Sequence, residues 1–448
     1  MAEHLWGKQT DLAIANFPIA GRPLDVRVAH ALAAIKRHAA AVNAGLGVPG
    51  VDGAVAEAIA AAARRVEAGE LDAQFPVDVF QTGSGTSTNM NVNEVLANLA
   101  SASLGTAVHP NDHVNASQSS NDTVPAAIRI AVARQLVDDV HPAIAALVDA
   151  FRGLAGRFAG VVKAGRTHLM DATPVTLGQE ADAWAGMLAR ALVRSQADVD
   201  ALGELPLGGT AVGTGINAPP GFAPAVIAAL AEETGLPLRP TANPMVHQGG
   251  QGPLADASAG LRGVAVALTK IANDIRLLAS GPSAGLAELR LPELQAGSSI
   301  MPGKVNPVLC ESVNQVAARV FGNDTTVAFA ASQGILELNT YLPVMADALL
   351  ESGTLLANVC RVFAEKCVTG IEADAERARG YAERSSALAT ALNPIIGYAR
   401  AAELVHRAVE ERRSIIDVVI ESGVLDADEA RRVLDPMRLT GSDGGAGQ

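Results

Sequence analysis

Between residues 261 and 278 the apolar side chains Leu261, Leu268, Ile271, Ile275 and Leu278 recur at spacings of seven, three, four and three. A helix with 3.6 residues per turn collects such residues into one stripe. The same periodicity runs over about 125–159, 177–202 and 308–357, with a break expected near Gly334, and over 25–44 and 54–68 closer to the N-terminus. Helices this long exceed the ordinary mean of about 11–12 residues. They predict a mostly α chain with a central long-helix bundle whose outer faces bury against other subunits. Aromatic residues are only 3% of the sequence, which argues against a sandwich or barrel, because strands favour Tyr, Phe and Trp.

The pattern divides the chain into three domains. Residues 1–119 form a mixed, mainly helical domain, 120–370 the long-helix bundle and 371–448 a small C-terminal helical domain. In the last of these, Asp426 and Glu429 have the spacing of a capping box that opens a short helix. The tail 441–448 is Gly-rich and is expected to fray.

The formal net charge is -13, the opposite of what a phosphate backbone attracts, so nucleic acid is excluded as a partner. Three cysteines (Cys310, Cys360, Cys367) are too few for a disulfide scaffold and fit a reducing cytoplasm. Cys360 and Cys367 stand seven apart in an apolar helical pattern and are read as core. The first ten residues lack the basic start and apolar run of a signal peptide. No run of about 20 apolar residues suggests a membrane span.

Four polar islands interrupt the helices. GSGTSTNMNVNE (83–94) offers spaced glycines and hydroxyls, including Ser84 and Thr86, that can approach a ligand closely, but it lacks the Gly-Lys-Ser/Thr of a phosphate loop. HPNDHVNASQSSND (109–122) ends where a long helix begins. Ser119, Ser120 and Asn121 would thus sit among free N–H groups, which suit a carboxylate. GRTHLMDATPVTLGQE (165–180) puts Thr167 and His168 in a loop before a helix, a setting for proton transfer. GSSIMPGKVNP (297–307) is a shaped loop in which Lys304 could hold a carboxylate and backbone N–H groups could stabilise an oxyanion. Hydroxyls, amides, Lys304 and His168 suit abstraction of a proton next to a carboxylate. Nothing in the four islands calls for a metal or a redox cofactor.

These islands, together with GGTAVGTGIN (208–217), closely resemble the class II fumarase/aspartase superfamily over nearly the whole chain. The resemblance implies a lyase in three domains that assembles as a homotetramer, with active sites built from loops of three subunits. It implies reversible anti-elimination, L-malate losing water to give fumarate as in the tricarboxylic acid cycle. The alternative is an aspartate ammonia-lyase, or another lyase that releases fumarate from a substituted succinate. By the same resemblance, Ser298 is the general base, and His168, oriented by Glu311, assists the leaving group. Lys304 stabilises charge. Ser84, Thr86, Ser119, Ser120, Asn121, Thr167, Ser299, Lys304 and Asn306 bind substrate. His109, Asn111 and Asp112 mark a second dicarboxylate site.

The chain departs from the family in two places. Residues 243–253 (NPMVHQGGQGP) carry glycines and prolines where fumarases read more acidic and helix-forming residues. The segment is expected to unwind as a surface connection, or to reshape the pocket so that His247 meets a different leaving group. Fumarases also usually carry an extra segment before the Trp-Gly-x-Gln-Thr motif, whereas here Trp6 lies only five residues from the start.

Overall fold

The computed structural model describes residues 4–441, so all but the first residue of the Gly-rich tail lies outside the described residues. Contacts divide the chain into two compact units. The first comprises Met1–Ala143, Ala191–Val266 and Val316–Asn358, and the second Ile144–Arg190, Ala267–Gln315 and Val359–Gln448. Every boundary falls inside a long helix: His141–Arg157, Leu177–Leu202, Gly252–Leu278, Val308–Ala331 and Leu342–Lys366.

In the first unit, helix Val26–Gly45 starts at Asp25, whose carboxylate accepts the Arg27 N–H at 3.0 Å. It packs against helices Gly53–Glu67 and Ser120–Gln135. Val28, Leu32 and Ile35 on the first, Ile59 and Val66 on the second, and Ile128 on the third are fully buried. Each contributes about 1.5–3 kcal/mol by leaving water. Alanines between them let the helices approach closely. The helix read over 125–159 starts earlier, at Ser120, and Pro125 lies inside it. A π turn at Leu136–Val140 then leads directly into His141–Arg157.

The break expected near Gly334 separates Val308–Ala331 from Leu342–Lys366. Its cause is close packing, since a Cβ on Gly334 would stand 1.9 Å from the Gly249 carbonyl oxygen. Residues 243–253 unwind only at 249–251, between two helices. Asn243 caps a short helix, Pro244–Gln248, by accepting the Met245 N–H at 3.1 Å, with Pro244 in the first turn where its missing N–H costs nothing. A 27-residue helix then begins at Gly252.

In the second unit the stripe residues Leu268, Ile271, Ile275 and Leu278 are all buried, as is Leu261 in the first. The scarce aromatics gather at one point: Phe151 meets Trp184 and Phe363 edge-on at 5.8 and 6.2 Å. The Trp184 indole donates to Asp274 at 3.0 Å. A smaller core of Leu388, Leu392, Leu404, Val418 and Leu434 holds the C-terminal helices. There Asp426 caps Ala427–Val433 by accepting the Glu429 N–H at 2.8 Å.

All three cysteines belong to the second unit and are free and buried. Burial pushes the Cys360 thiol up to about 12, and contact with Cys367 together with burial raises that of Cys310. Among the described residues, no helix is long and apolar enough to cross a membrane.

Candidate active site

In the first unit the candidate residues collect at the start of helix Ser120–Gln135. Ser119 is its cap. The Ser119 Oγ accepts the Asn121 N–H at 3.2 Å, and Asp122 accepts the Ser119 N–H at 2.9 Å. The other oxygen of Asp122 accepts the N–H groups of Gly208 and Thr210, both at 2.9 Å, and the Asn121 side-chain amide donates to the Ala211 carbonyl at 2.8 Å. A chain of hydroxyls follows: Ser120 meets Thr86 at 2.8 Å, and Thr86 meets Ser84 at 2.8 Å.

The glycines of the first island are there for contact rather than flexibility. A Cβ on Gly85, which has φ 72°, would stand 2.7 Å from Val124, and one on Gly83 would strike the Thr340 carbonyl. Ser84, Thr86, Ser119, Ser120 and Asn121 therefore form one preset group of hydroxyls and an amide at the helix N-terminus.

Next to it, a cleft of 290 Å³ is lined by Asn111, Asp112, Ser119, Thr210 and Asn217 among others. His109 is not part of that lining. Its ring accepts the Asp112 N–H at 3.2 Å and caps the π turn Pro110–Val114.

The second unit carries the remaining candidates on two projections. The island read as a loop is a β-hairpin, Val162–Thr167 paired antiparallel with Met170–Thr176. Its two-residue turn is His168-Leu169, at φ 56° and 60°. Such turns normally use Asn or Gly, so a His-Leu turn holds strained backbone that its surroundings must maintain. That support is ionic. Fully buried Glu288 receives both nitrogens of the Arg166 fork at 2.9 Å, and buried Lys163 donates to Glu180 at 2.8 Å and lies 3.7 Å from Glu288. The base of the hairpin is thus fixed, while Thr167 and His168 at its tip are exposed.

The second projection is the loop before helix Val308–Ala331. The Asn306 amide donates to the Gly297 carbonyl at 2.6 Å and closes the loop, and a Cβ on Gly297 would overlap the Lys304 carbonyl. Inside it, the Ser298 Oγ accepts two backbone N–H groups, from Ile300 at 3.2 Å and Met301 at 3.0 Å. Two N–H dipoles aimed at one hydroxyl oxygen favour its deprotonated form. Lys304, Asn306 and Glu311 line a cleft of 1160 Å³ with Asn273 and Arg276. Ser299 stands exposed beside Ser298. Among the described residues, no hydrogen bond or ion pair joins His168 to Glu311.

His247 is neither on a surface connection nor free for a leaving group, as its segment had suggested. It is buried with both ring nitrogens engaged, Nδ1 with Arg129 at 3.1 Å and Nε2 with Glu204 at 3.1 Å. Burial, and then the Arg129 guanidinium, hold its pKa below the ordinary value. Its neighbour Gln248 is also buried and donates to the Thr210 carbonyl at 2.6 Å. The segment is an internal strut for the 208–217 loop.

Sequence reasoning also missed the buried charges Lys36, Asp122, Lys163 and Glu288. The Ser-x-x-Asp spacing of a capping box could have marked Asp122. Among the described residues, no group of three or more His, Cys, Asp or Glu side chains could hold a metal ion.

Residues 1–322 match the family model described as lyase, and 388–441 the one described as fumarase C C-terminus. A class II fumarate hydratase of Mycobacterium tuberculosis is 50% identical over 443 residues, 98% of this chain and 93% of its own. One from Pseudomonas aeruginosa is 49% identical over 427 residues, covering 94% and 92%. The crystal structure of the class II fumarase from Schistosoma mansoni superposes with a TM-score of 0.95 at 36% identity, over 98% of this chain and 96% of that one.

Proposed function

This chain belongs to the class II fumarases of the fumarase/aspartase superfamily, and from that premise we propose that it works as a fumarate hydratase. The reaction is the reversible anti-elimination of water from L-malate to give fumarate, and the enzyme is a lyase. The observation that carries the assignment of roles is the Ser298 hydroxyl oxygen under two backbone N–H groups.

Ser298, as its alkoxide, takes the proton from C3 of malate. The C–H electron pair passes into the neighbouring carboxylate as an aci-carboxylate. The C2–O bond then breaks, and His168 gives a proton to the departing hydroxide, so that water and fumarate result. Lys304 offsets the growing negative charge, most effectively once water is excluded. Ser119, Ser120 and Asn121 at the helix N-terminus, with Ser84 and Thr86, hold one carboxylate. Thr167, Ser299 and Asn306 bind beside the reacting carbons. Glu311 orients His168, and because each site is assembled from loops of several subunits, that pairing is one between copies.

We extend the reading to a three-domain subunit divided near residues 119 and 370, in a cytoplasmic homotetramer serving the tricarboxylic acid cycle. Val193, Val266 and Phe329, exposed on the long helices, support burial against other copies, and three free cysteines support a reducing setting. The cleft at Asn111 and Asp112 supports a second dicarboxylate site there, with His109 fixing the turn.

Following fumarate absorbance with L-malate and then L-aspartate tests the activity. Rapid fumarate formation from malate is expected. Turnover of aspartate in its place would overturn the reading in favour of an ammonia-lyase.

A further inference from the structure

Asp122 has no role in the chemistry above, yet it is fully buried and makes more backbone contacts than a cap requires. One oxygen holds the Ser119 N–H at 2.9 Å, and the other holds the N–H groups of Gly208 and Thr210. The first of these amides belongs to the helix end that carries Ser119, Ser120 and Asn121. The other two belong to a loop 86 residues or more away in sequence. A single carboxylate therefore clamps the two segments together, and the Asn121–Ala211 bond adds a second stitch.

Lys36, also fully buried, on helix Val26–Gly45, lies within electrostatic reach of it. Its ammonium donates to Asn115 at 3.2 Å and Gln118 at 3.4 Å. Lys36 is the charged group that acts on Asp122, and Asp122 the one that acts on Lys36, among the described residues.

We propose that Asp122, with Lys36 as its buried counter-charge, is a positioning residue: its ionised carboxylate locks the 208–211 loop onto the helix end and so holds the substrate-binding donors in register. The inference rests on the assignment of Ser119, Ser120 and Asn121 to substrate binding.

Ionisation is what makes the clamp sensitive to pH. Burial raises the Asp122 carboxyl to about 6, against the opposing pull of its three N–H donors and Lys36. Burial lowers Lys36 to about 7. Below about pH 6 Asp122 takes up a proton and its oxygens become weaker acceptors, so the clamp loosens as pH falls. Above about pH 7 Lys36 loses its charge, but Asp122 stays ionised under its three N–H groups, so the clamp persists.

The test uses the full chain and two variants, Asp122→Asn and Lys36→Met, with malate and fumarate kinetics measured from about pH 5 to 8. Hydrogen exchange at the Gly208 and Thr210 amides is followed in the unsubstituted protein. Asp122→Asn keeps a single acceptor oxygen and sets an amide N–H against at least one of the three backbone N–H groups, and KM is expected to rise about tenfold or more while kcat changes far less. In the unsubstituted enzyme kcat/KM should fall as pH drops through about 6, and protection of both amides should fade with it. Lys36→Met removes the counter-charge, raises the carboxyl further and should shift that fall to higher pH.

A KM within about twofold of the parent for Asp122→Asn, an unmoved acid limb in Lys36→Met, or full amide protection at about pH 5 would each overturn the proposal. If Asp122→Asn does not fold, the Lys36→Met limb and the amide protection decide. If the unsubstituted chain turns over neither malate nor fumarate, the functional assignment fails, and amide protection still reports on the clamp.

Discussion

The two groups of candidate residues are built in opposite ways. At the helix end of the first unit every candidate is tied to its neighbours: Ser84 to Thr86, Thr86 to Ser120, Ser119 to Asp122 and Asn121 to Ala211. On the hairpin and loop of the second unit the support lies at the base, in Glu288, Lys163 and the Asn306–Gly297 bond, while His168 and Ser299 stand exposed at the tips. Groups that only bind can be fixed once and left alone. Groups that give and take protons need one free side facing the substrate, so their rigidity must come from behind. Side chains tied to one another and side chains held only from behind are thus divided between the two units.

The largest effect should come from the second unit's set. Ser298→Ala is expected to cut kcat roughly 10²–10⁴-fold, the range for removing a positioned base, with the melting temperature unchanged. Retained activity would remove Ser298 as the base and erase the contrast. Next is the support behind the hairpin. Glu288→Gln leaves Lys163 and Arg166 short of a buried partner, and denaturant titration should record a loss of about 3–5 kcal/mol. Should stability hold while only kcat falls, the ionic base would be part of the chemistry rather than its foundation.

Within the tied set, Thr86→Val breaks the hydroxyl chain at its middle. It should raise KM by roughly tenfold at most, a hydrogen bond being worth about 0.5–1.5 kcal/mol, with kcat nearly unchanged. An equal fall in kcat would place Thr86 with the transition-state groups. The smallest effect is expected away from both groups: Asp426→Ala removes one cap and should cost about 1 kcal/mol in thermal unfolding, with kinetics intact.

The parts legible in the sequence were those governed by local spacing. The stripe from Leu261 to Leu278 is buried throughout, the helix read over 177–202 is Leu177–Leu202, and Asp426 caps as its spacing to Glu429 indicated. What could not be read depended on partners far along the chain. Val162–Thr167 gives little sign of a strand because Lys163 and Arg166 interrupt it, and their burial makes sense only with Glu288, more than 100 residues on, beside them. His247 looked available because Glu204 and Arg129, its two partners, lie 43 and 118 residues away. Gly334 marked its break correctly, but the reason, the carbonyl of Gly249 against it, is again a distant one.

The cysteines carry a practical consequence. All three sit in the second unit, and none occurs in the first. Cys310 lies three residues past the 297–307 loop and next to Glu311; its thiol and that of Cys360 are held in the unreactive protonated form, while Cys367, which contact with Cys310 shifts below its ordinary value, is shielded by burial. A brief pulse of alkylating reagent therefore stays silent on the closed protein and marks only molecules in which that unit has opened. Nature has supplied this chain with a stopwatch wired to one unit alone, so the lifetime of the second unit can be timed while the first goes unrecorded.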